Sequence, residues 1–536
     1  MGIYLNPGNK SFWEAVRSRI YVDKTNLIAY TNQMINTDEK YVCVSRPRRF
    51  GKSMTLAMLA AYYSSGCDSA ELFQGRKIES DETFLEHLNR YDVIYLNMQR
   101  FLIRAKKMDM VDYLENAVIA EINKVYGSLL PQQETSLVSV LEQLYDNGDK
   151  QFIFLIDEWD CVMRERQESE EMQRQYLDFL RDLLKDQPYV ALAYVTGILP
   201  VKKYGQHSAL NMFLEYSMTD QDIFEEYTGF TEDEVEVLCE QCGMDFAETS
   251  SWYDGYMFTR YQHIYNPKSV VEAMRRHKFS NYWTSTETYE ALKIYMDMDF
   301  EGLRSDIVQM LGGGRVRVMT RSFQNDMRSF KTKDDLLTLL IHLGYLGYDA
   351  GTKEVFIPNK EIIEEFENAM SVGGWDNVMD VLKASSQLLA DTLDGNADSV
   401  ASGLDRTHTK VASILTYNDE NSQFLTDELF VKNLHVAVGL AYYSARKDYR
   451  LIREFPTGKG FADIVFLPLP HTGKPALVIE LKYDKSVNAA IQQMKDRKYT
   501  QALEGYVGEI LLVGINYDRE NPDKPHSCVI EKAAIG

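Results

Sequence analysis

The sequence predicts an α/β protein: an N-terminal parallel, doubly wound sheet, a helical middle, and a second α/β unit at the C-terminus. Three observations predict it. Four apolar runs of strand length alternate with helical segments through the first 200 residues, the pattern of a mostly parallel sheet covered by helices. From about 230 to 330 the spacing turns helical. Beyond about 400 a helix is followed by at least two strands, a helix and two more strands.

With 536 residues and roughly 100–200 residues per domain, two to four domains are expected. The boundaries drawn here are 1–290, 291–400 and 401–536. Hydrophobic content of 45% and charged content of 26% are ordinary for a globular chain. The net charge of -22 argues against a general electrostatic grip on nucleic acid but leaves room for a local basic groove. No apolar run is long enough to span a bilayer, so no membrane partner is expected. The first twenty residues have no apolar signal core, and Gly2 lacks the Ser or Thr at position 6 that acylation wants, since Asn6 stands there. Six cysteines make no disulfide framework. The single pair Cys239 and Cys242 sits in a helical segment without a second ligand pair, so zinc is not expected. Reduced thiols and a cytoplasmic location follow as expectations.

Taken in order, residues 1–40 read as a helical lead-in ending in YVDKTNLIAYTNQM. YVCVS (41–45) is a β-branched run fit for a buried strand, and MTLAMLAAYYS has helical spacing. YDVIYLNM (91–98), QFIFLIDE (151–158) and YVALAYVTG (189–197) are three further strands, with helices such as QRQYLDFLRDLLKD between them. Residues 336–366 read as helix, strand, turn, strand, helix, with the turn at Asp349-Ala350-Gly351-Thr352; this suits a winged-helix-like unit. Gly312-Gly313-Gly314 is a loop with no strand before it, so it carries no phosphate role. DTLDGNADSVASG is polar and rich in turn residues, which suggests a boundary near 390–410. LTDELFVKNLHVAVGLAYYSA then reads as a helix, FADIVFLPL and PALVIELKYD as strands, NAAIQQMKDRKYTQAL as a helix, and EILLVGINYD and SCVIEKA as strands.

A phosphate-binding loop needs converging backbone N–H groups, a Lys that reaches the β and γ oxygens, and a hydroxyl for Mg²⁺. Gly51-Lys52-Ser53 supplies the last two in order. The triplet follows an apolar strand and opens a helix, whose N-terminus adds to the attraction for an anion. The usual first Gly of such a loop is Arg46 here, which leaves an ordinary basic turn before a helix as a competing reading. The strand FIFLID ends in Asp157 and Glu158, at the edge where ligands collect in an open parallel sheet. Asp157 suits a Mg²⁺ contact through water, and Glu158 suits a general base that orients the attacking water. Thr196, ending the next strand, fits either a γ-phosphate sensor or a plain strand-end turn.

SRPRRFGKSMTLAML, the upstream YVDKTNLI, FLIDEWD and YVTGILPVKKYG together resemble the prokaryotic AAA-ATPase-like family, in which R-P-R-R-F-G-K-[ST] is the normal loop. The resemblance covers about residues 5–290. It implies an N-terminal P-loop NTPase fold of the additional-strand class, with ATP as cofactor. Lys52, Ser53, Asp157 and Glu158 match it position by position, with Gly51 and Arg49 beside them in the loop. It leaves open whether Arg48 or Arg49 faces phosphate or a partner subunit, and it makes a homo-oligomer an expectation.

Metal-dependent phosphodiester cleavage needs carboxylates that bind Mg²⁺ and a Lys near the attacking water. Asp463 lies in FADIVF, and Glu480 and Lys482 lie in VIELK. Residues two apart on a strand face one way, so Glu480 and Lys482 can share a site. The 17 residues from Asp463 to Glu480 allow a hairpin to bring Asp463 to them. A cross-strand ion pair is the ordinary reading of such a strand. However, charges placed after the apolar Ala-Leu-Val-Ile suggest burial, and buried charges have a strong partner or a function. Glu454, GKGFADIVF, VIELK and the helix holding Gln493 through Tyr499 resemble the PD-(D/E)xK nuclease superfamily. That resemblance implies an α/β restriction-endonuclease-like fold. It implies Asp463 and Glu480 as metal ligands, Lys482 as the residue that positions water, Glu454 as a further acid, and Gln493 and Tyr499 as support. Ala462 stands where the superfamily's Pro would be, and Phe461 replaces an Arg common in this branch. Lys459, Lys474, Lys485, Lys495, Arg497 and Lys498 fit either a basic groove or, for the last three, a solvated helix face.

Two constellations in one chain lead to the expectation of an ATP-binding, ATP-regulated, Mg²⁺-dependent nuclease acting on nucleic acid, DNA being favoured. The alternative is a nucleotide-dependent switch or scaffold whose nuclease-like domain only binds.

Overall fold

A computed structural model of the chain describes residues 2–533 except 106–107, 131–134, 202–209, 221, 284–288, 299, 301, 324–329, 416–426, 458–459, 470–471, 498, 500–502, 504–505, 507, 519–520 and 522–524. Its contacts divide into two compact units. One is Met1–Phe246 with Tyr253–Lys278 and Arg317–Val355; the other is Ala247–Trp252 with Phe279–Val316 and Phe356–Gly536. Among the described residues no helix is long and apolar enough to cross a membrane.

In the first unit five strands form a parallel sheet: β1 (Tyr41–Ser45), β2 (Asp92–Asn97), β3 (Phe152–Asp157), β4 (Val190–Gly197) and β5 (Leu214–Tyr216). They run in the order β2-β3-β4-β1-β5. β1, β3 and β4 are buried at every residue, which is why their sequences are continuous apolar runs rather than alternations. β4 stands between β1 and β3, the extra strand that the AAA-ATPase-like resemblance implies. Helix α1 (Lys52–Tyr63) leaves the end of β1 and packs Leu56, Leu59 and Tyr63 into a core shared with Val42, Val44, Ile153 and Tyr194. A one-turn helix α2 (Cys161–Glu165) follows β3.

The lead-in has helices at Lys10–Val16 and Leu27–Met34, and the YVDKT string between them is structural. Lys24 Nζ sits 2.6 Å from Glu234, and Asp23 accepts from Thr25 N and Lys77 N. Glu234 in turn completes the capping box of helix Glu232–Cys242, which ends at Gly243 and contains Cys239 and Cys242. Residues 336–366 hold the expected helix Lys333–Leu343, strands Gly347–Asp349 and Glu354–Phe356, and helix Lys360–Ser371. Asp349 Oδ1 accepts from Gly351 N and Thr352 N and closes the turn.

The polar stretch near 390–410 is not an extended linker. It shortens to a turn at Gly395 (φ 77°) between helices Asp376–Leu393 and α3 (Ala397–Leu415). Val400, Leu404 and Val411 give α3 a buried stripe that outweighs its polar composition. The C-terminal sheet has five strands in chain order: β6 (Tyr449–Thr457), β7 (Gly460–Pro468), β8 (Ala476–Tyr483), β9 (Ile510–Tyr517) and β10 (His526–Ala533). β8 and β9 are parallel and the other neighbours antiparallel. Three strands precede the next helix, in keeping with the expected two or more, and β6 is the one that the sequence pattern does not name. The parallel pair is bridged by α4 (Val487–Asp496), in keeping with the crossover that parallel strands require.

Where α3 meets β10, His526 Nδ1 and Asp405 Oδ1 are 2.6 Å apart. His408 lies 5.2 Å from the His526 ring, and Tyr517 is 4.9 Å from both. Burial, then the neighbouring His526, pushes His408 down to about 4, and burial lowers His526 against the pull of Asp405. A histidine whose folded value is depressed stabilises the fold above its unfolded value and loses that contribution as pH falls. Acidification from pH 7 to 5 should therefore cost this unit on the order of 2 kcal/mol through His408. Urea titrations at the two pH values check this, with His408→Gln expected to flatten the difference.

Candidate active sites

The turn after β1 is built around two left-handed residues, Arg49 (φ 70°) and Gly51 (φ 90°). Gly51 is the N-cap of α1, so the loop's amides and the helix N-terminus lie together. A Cβ at Gly51 would meet nothing within 4 Å; the requirement is conformational. Gly51→Ala should cost about 1–2 kcal/mol, read as a lower thermal midpoint together with weaker ATP binding.

Arg46 does not occupy the phosphate face. It is fully buried, Nη1 donates to Ser45 O and Tyr216 O at 2.9 Å, and its guanidinium lies over the Phe258 ring. Its backbone N donates to Gly197 O, so the residue staples β1 to the ends of β4 and β5. Desolvation lowers its pKa to about 10. Lys52 folds back over the loop, donating to Arg46 O at 2.9 Å and Pro47 O at 2.8 Å. Burial depresses its pKa while Glu158 and Asp157 raise it. Arg48 and Arg49 both make interactions within the protein.

Asp157 gathers the site. One carboxylate oxygen accepts from Ser53 Oγ at 2.8 Å and Asn97 Nδ2 at 3.1 Å; the other accepts from Thr196 Oγ1 at 2.9 Å. The helix start and three strand ends thus converge on one buried carboxylate. Glu158 leaves β3 in a left-handed conformation (φ 55°) and pairs with Arg164 of α2. Arg164 also holds Asp160 at 3.0 Å, and Asp160 accepts from Ile198 N and Leu199 N beyond β4. Burial raises the Glu158 carboxyl, against the lowering pull of Lys52 and Arg164. Asn97, Asp160 and Arg164 have no signal in the sequence: an Asn ending a strand, and charges on or beside a one-turn helix, carry no distinctive pattern.

In the second unit, β7 and β8 pair antiparallel with Ile464 opposite Ile479, which carries Asp463 to Glu480. Asp463 Oδ2 accepts from Leu481 N at 2.6 Å. Glu480 Oε1 receives Lys482 Nζ at 2.7 Å and also Gln493 Nε2. Gln493 Oε1 accepts from Lys482 at 2.8 Å, and its amide reaches Tyr499 Oη at 3.1 Å. Tyr499 then donates to Phe461 O at 2.8 Å. Asp463, Glu480, Lys482, Gln493 and Tyr499 therefore form one connected group. Glu454 belongs to β6, but its side chain lies outside the described residues, as do Lys459 and Lys498. Lys474 pairs with Asp448 and Lys495 with Glu531, so neither is an unpaired cation of a basic groove.

Glu480 Oε2 is buried without a hydrogen-bond partner. Burial and Asp463 raise its carboxyl above the ordinary 4.5, against Lys482. An orphaned carboxylate oxygen facing a second carboxylate is a donor set that fits a hard divalent cation. At the other site the Ser53 hydroxyl and Asp157 fit Mg²⁺ beside a nucleotide. Among the described residues no three His, Cys, Asp or Glu side chains cluster in a way that could hold a metal; Asp463 and Glu480 are the two acids that the described side chains bring together at the C-terminal centre.

Residues 8–206 match the family model of predicted AAA-ATPases, and residues 432–524 that of the PD-(D/E)XK nuclease superfamily. An uncharacterized protein in the vnfD 5′ region of Azotobacter chroococcum mcd 1 is 28% identical over 279 residues, covering 50% of this chain and 51% of that protein. The chain thus spans about half the length of the curated relative it matches. A Walker-type ATPase of Pyrococcus abyssi aligns over 64% of this chain and 94% of its own, at 14% identity and a TM-score of 0.33. The ORC2 protein of Aeropyrum pernix aligns over 68% and 98%, at 13% identity and a TM-score of 0.28. The chain carries an AAA-ATPase-like domain followed by a domain of the PD-(D/E)XK nuclease superfamily.

Proposed function

We propose that this chain is an ATP-binding, ATP-regulated nuclease that cleaves nucleic-acid phosphodiesters with Mg²⁺. The observation that carries the proposal is the presence of two assembled side-chain groups in one chain, Lys52-Ser53-Asp157-Glu158 and Asp463-Glu480-Lys482. Segments 1–290, 291–400 and 401–536 serve as ATPase module, connecting region and nuclease module. Defence against invading DNA or mobile-element biology is the setting, and a homo-oligomer is the working form.

At the N-terminal site the loop amides and Lys52 bind the β and γ phosphates, with Arg49 as a further cation. Lys52 exchanges its carbonyl partners, Arg46 O and Pro47 O, for phosphate oxygens. Ser53 and Asp157 hold the nucleotide's Mg²⁺. Glu158 accepts a proton from the attacking water once its carboxylate leaves Arg164. At the C-terminal site Asp463 and Glu480 would hold the cation, with Glu454 as a further ligand. Bound Mg²⁺ supplies Lewis acidity and a more acidic water. Lys482, fixed between Glu480 and Gln493, would orient the attacking water toward the phosphorus. Nucleotide binding changes the orientation or assembly of the ATPase module and so gates cleavage.

A second reading, a nucleotide-dependent switch whose nuclease-like domain only binds, draws on the Glu158–Arg164 pair, which ties up the candidate base. ATP turnover and Mg²⁺-dependent cleavage assayed on one preparation separate the two. Turnover with cleavage supports the nuclease; ATP binding without either reaction supports the switch.

A further inference from the structure

We propose that Phe461 is a stacking platform that directs the C-terminal centre to single-stranded nucleic acid. This rests on reading Asp463, Glu480 and Lys482 as a nuclease centre. The ring is 62% exposed, while its neighbours Ala462, Ile464, Val465 and Phe466 are buried. Phe461 stands two residues before Asp463 on β7. Its main chain is fixed to the centre: Tyr499 Oη donates to Phe461 O at 2.8 Å, and Gln493 links Tyr499 to Lys482 and Glu480. A lone exposed hydrophobe is common on any surface. One tied by its own carbonyl into the group that carries the acids and the Lys is placed to meet what those residues act on.

The ligand class follows from chemistry. The chain carries a net charge of -22, so attraction for phosphate is limited, and contacts that do not depend on charge gain weight. A phenyl face stacks on any nucleobase. In a duplex the base faces already stack on one another, whereas an unpaired base can be splayed onto the ring. An Arg, which the nuclease resemblance leads one to expect here, would instead take a phosphate in either form of nucleic acid.

The test compares wild type, Phe461→Ala and Phe461→Trp on short labelled DNA single strands, RNA single strands and DNA duplex. Cleavage is followed in Mg²⁺, and binding is measured with Ca²⁺ in its place. Wild type should prefer a single strand. Phe461→Ala should weaken single-strand binding and raise KM about tenfold to a hundredfold, with kcat little changed and duplex binding unmoved, and Trp should restore both. The DNA and RNA arms show which single strand is taken. Single-strand affinity and KM unchanged to within about twofold in Phe461→Ala, or an equal loss on duplex, would overturn the proposal. Absence of cleavage in every arm would remove the nuclease reading, while the binding arm still decides the role of Phe461.

Discussion

Lys52→Met is expected to remove ATP binding while leaving the fold intact. In the structure the ammonium is buried and donates to Arg46 O and Pro47 O, and burial depresses its pKa. Its charge therefore costs stability until phosphate oxygens arrive. Met keeps the length of the side chain and drops the charge, so the thermal midpoint without nucleotide should hold or rise. A charge-assisted contact to phosphate is lost, and with it about 3 kcal/mol, or at least a hundredfold in Kd. Calorimetric titration with Mg·ATP reads the affinity, and thermal shift with and without nucleotide reads the stability. Equal Kd for the two proteins would remove Lys52 from the phosphate site.

Glu480→Gln and Lys482→Ala should each lower Mg²⁺-dependent cleavage by about a hundredfold or more, the scale of losing a group that handles the proton or the water. The two differ in stability. The Glu480 carboxyl is raised by burial and by Asp463. A carboxyl raised on folding stabilises below its unfolded value of 4.5 and loses that contribution as pH rises through its folded value. At neutral pH without metal the charge is thus a liability. Glu480→Gln should raise the unfolding free energy and remove the stabilisation by Mg²⁺ that is expected of wild type. Lys482→Ala should destabilise, because it leaves Glu480 and Gln493 without their shared donor. Unchanged cleavage in both variants would move the chemistry elsewhere.

The parallel strands were legible because burial on both faces leaves an unbroken apolar run, as in FIFLID and YVALAYV. β8 was legible for the same reason, and its Glu480 and Lys482 stood out against it. β6 was not, because RLIREFPT places Arg450, Arg453 and Glu454 along a strand at the sheet's edge, where no apolar run or clean alternation is required. β5 is three residues long, too short for any period. The strand order, and with it the neighbours of Asp157, depends on pairing between distant segments. Lys52, Ser53 and Asp157 could be named from local pattern, yet Asn97 and Thr196 join them only through the sheet. The same holds for Arg164, whose hold on Glu158 is set by the left-handed backbone at Glu158. Arg46 looked like a flaw in a phosphate loop; buried against Ser45 O and Tyr216 O, it is a staple between strands.

The rate of Mg²⁺-dependent cleavage as a function of ATP concentration, in wild type and in Lys52→Met, decides whether the N-terminal site controls the C-terminal one. A gated nuclease predicts that the wild-type rate changes with ATP over the range in which ATP binds, and that the Lys52→Met rate stays flat. A wild-type rate indifferent to ATP at saturating occupancy would contradict regulation of the C-terminal centre by the N-terminal site.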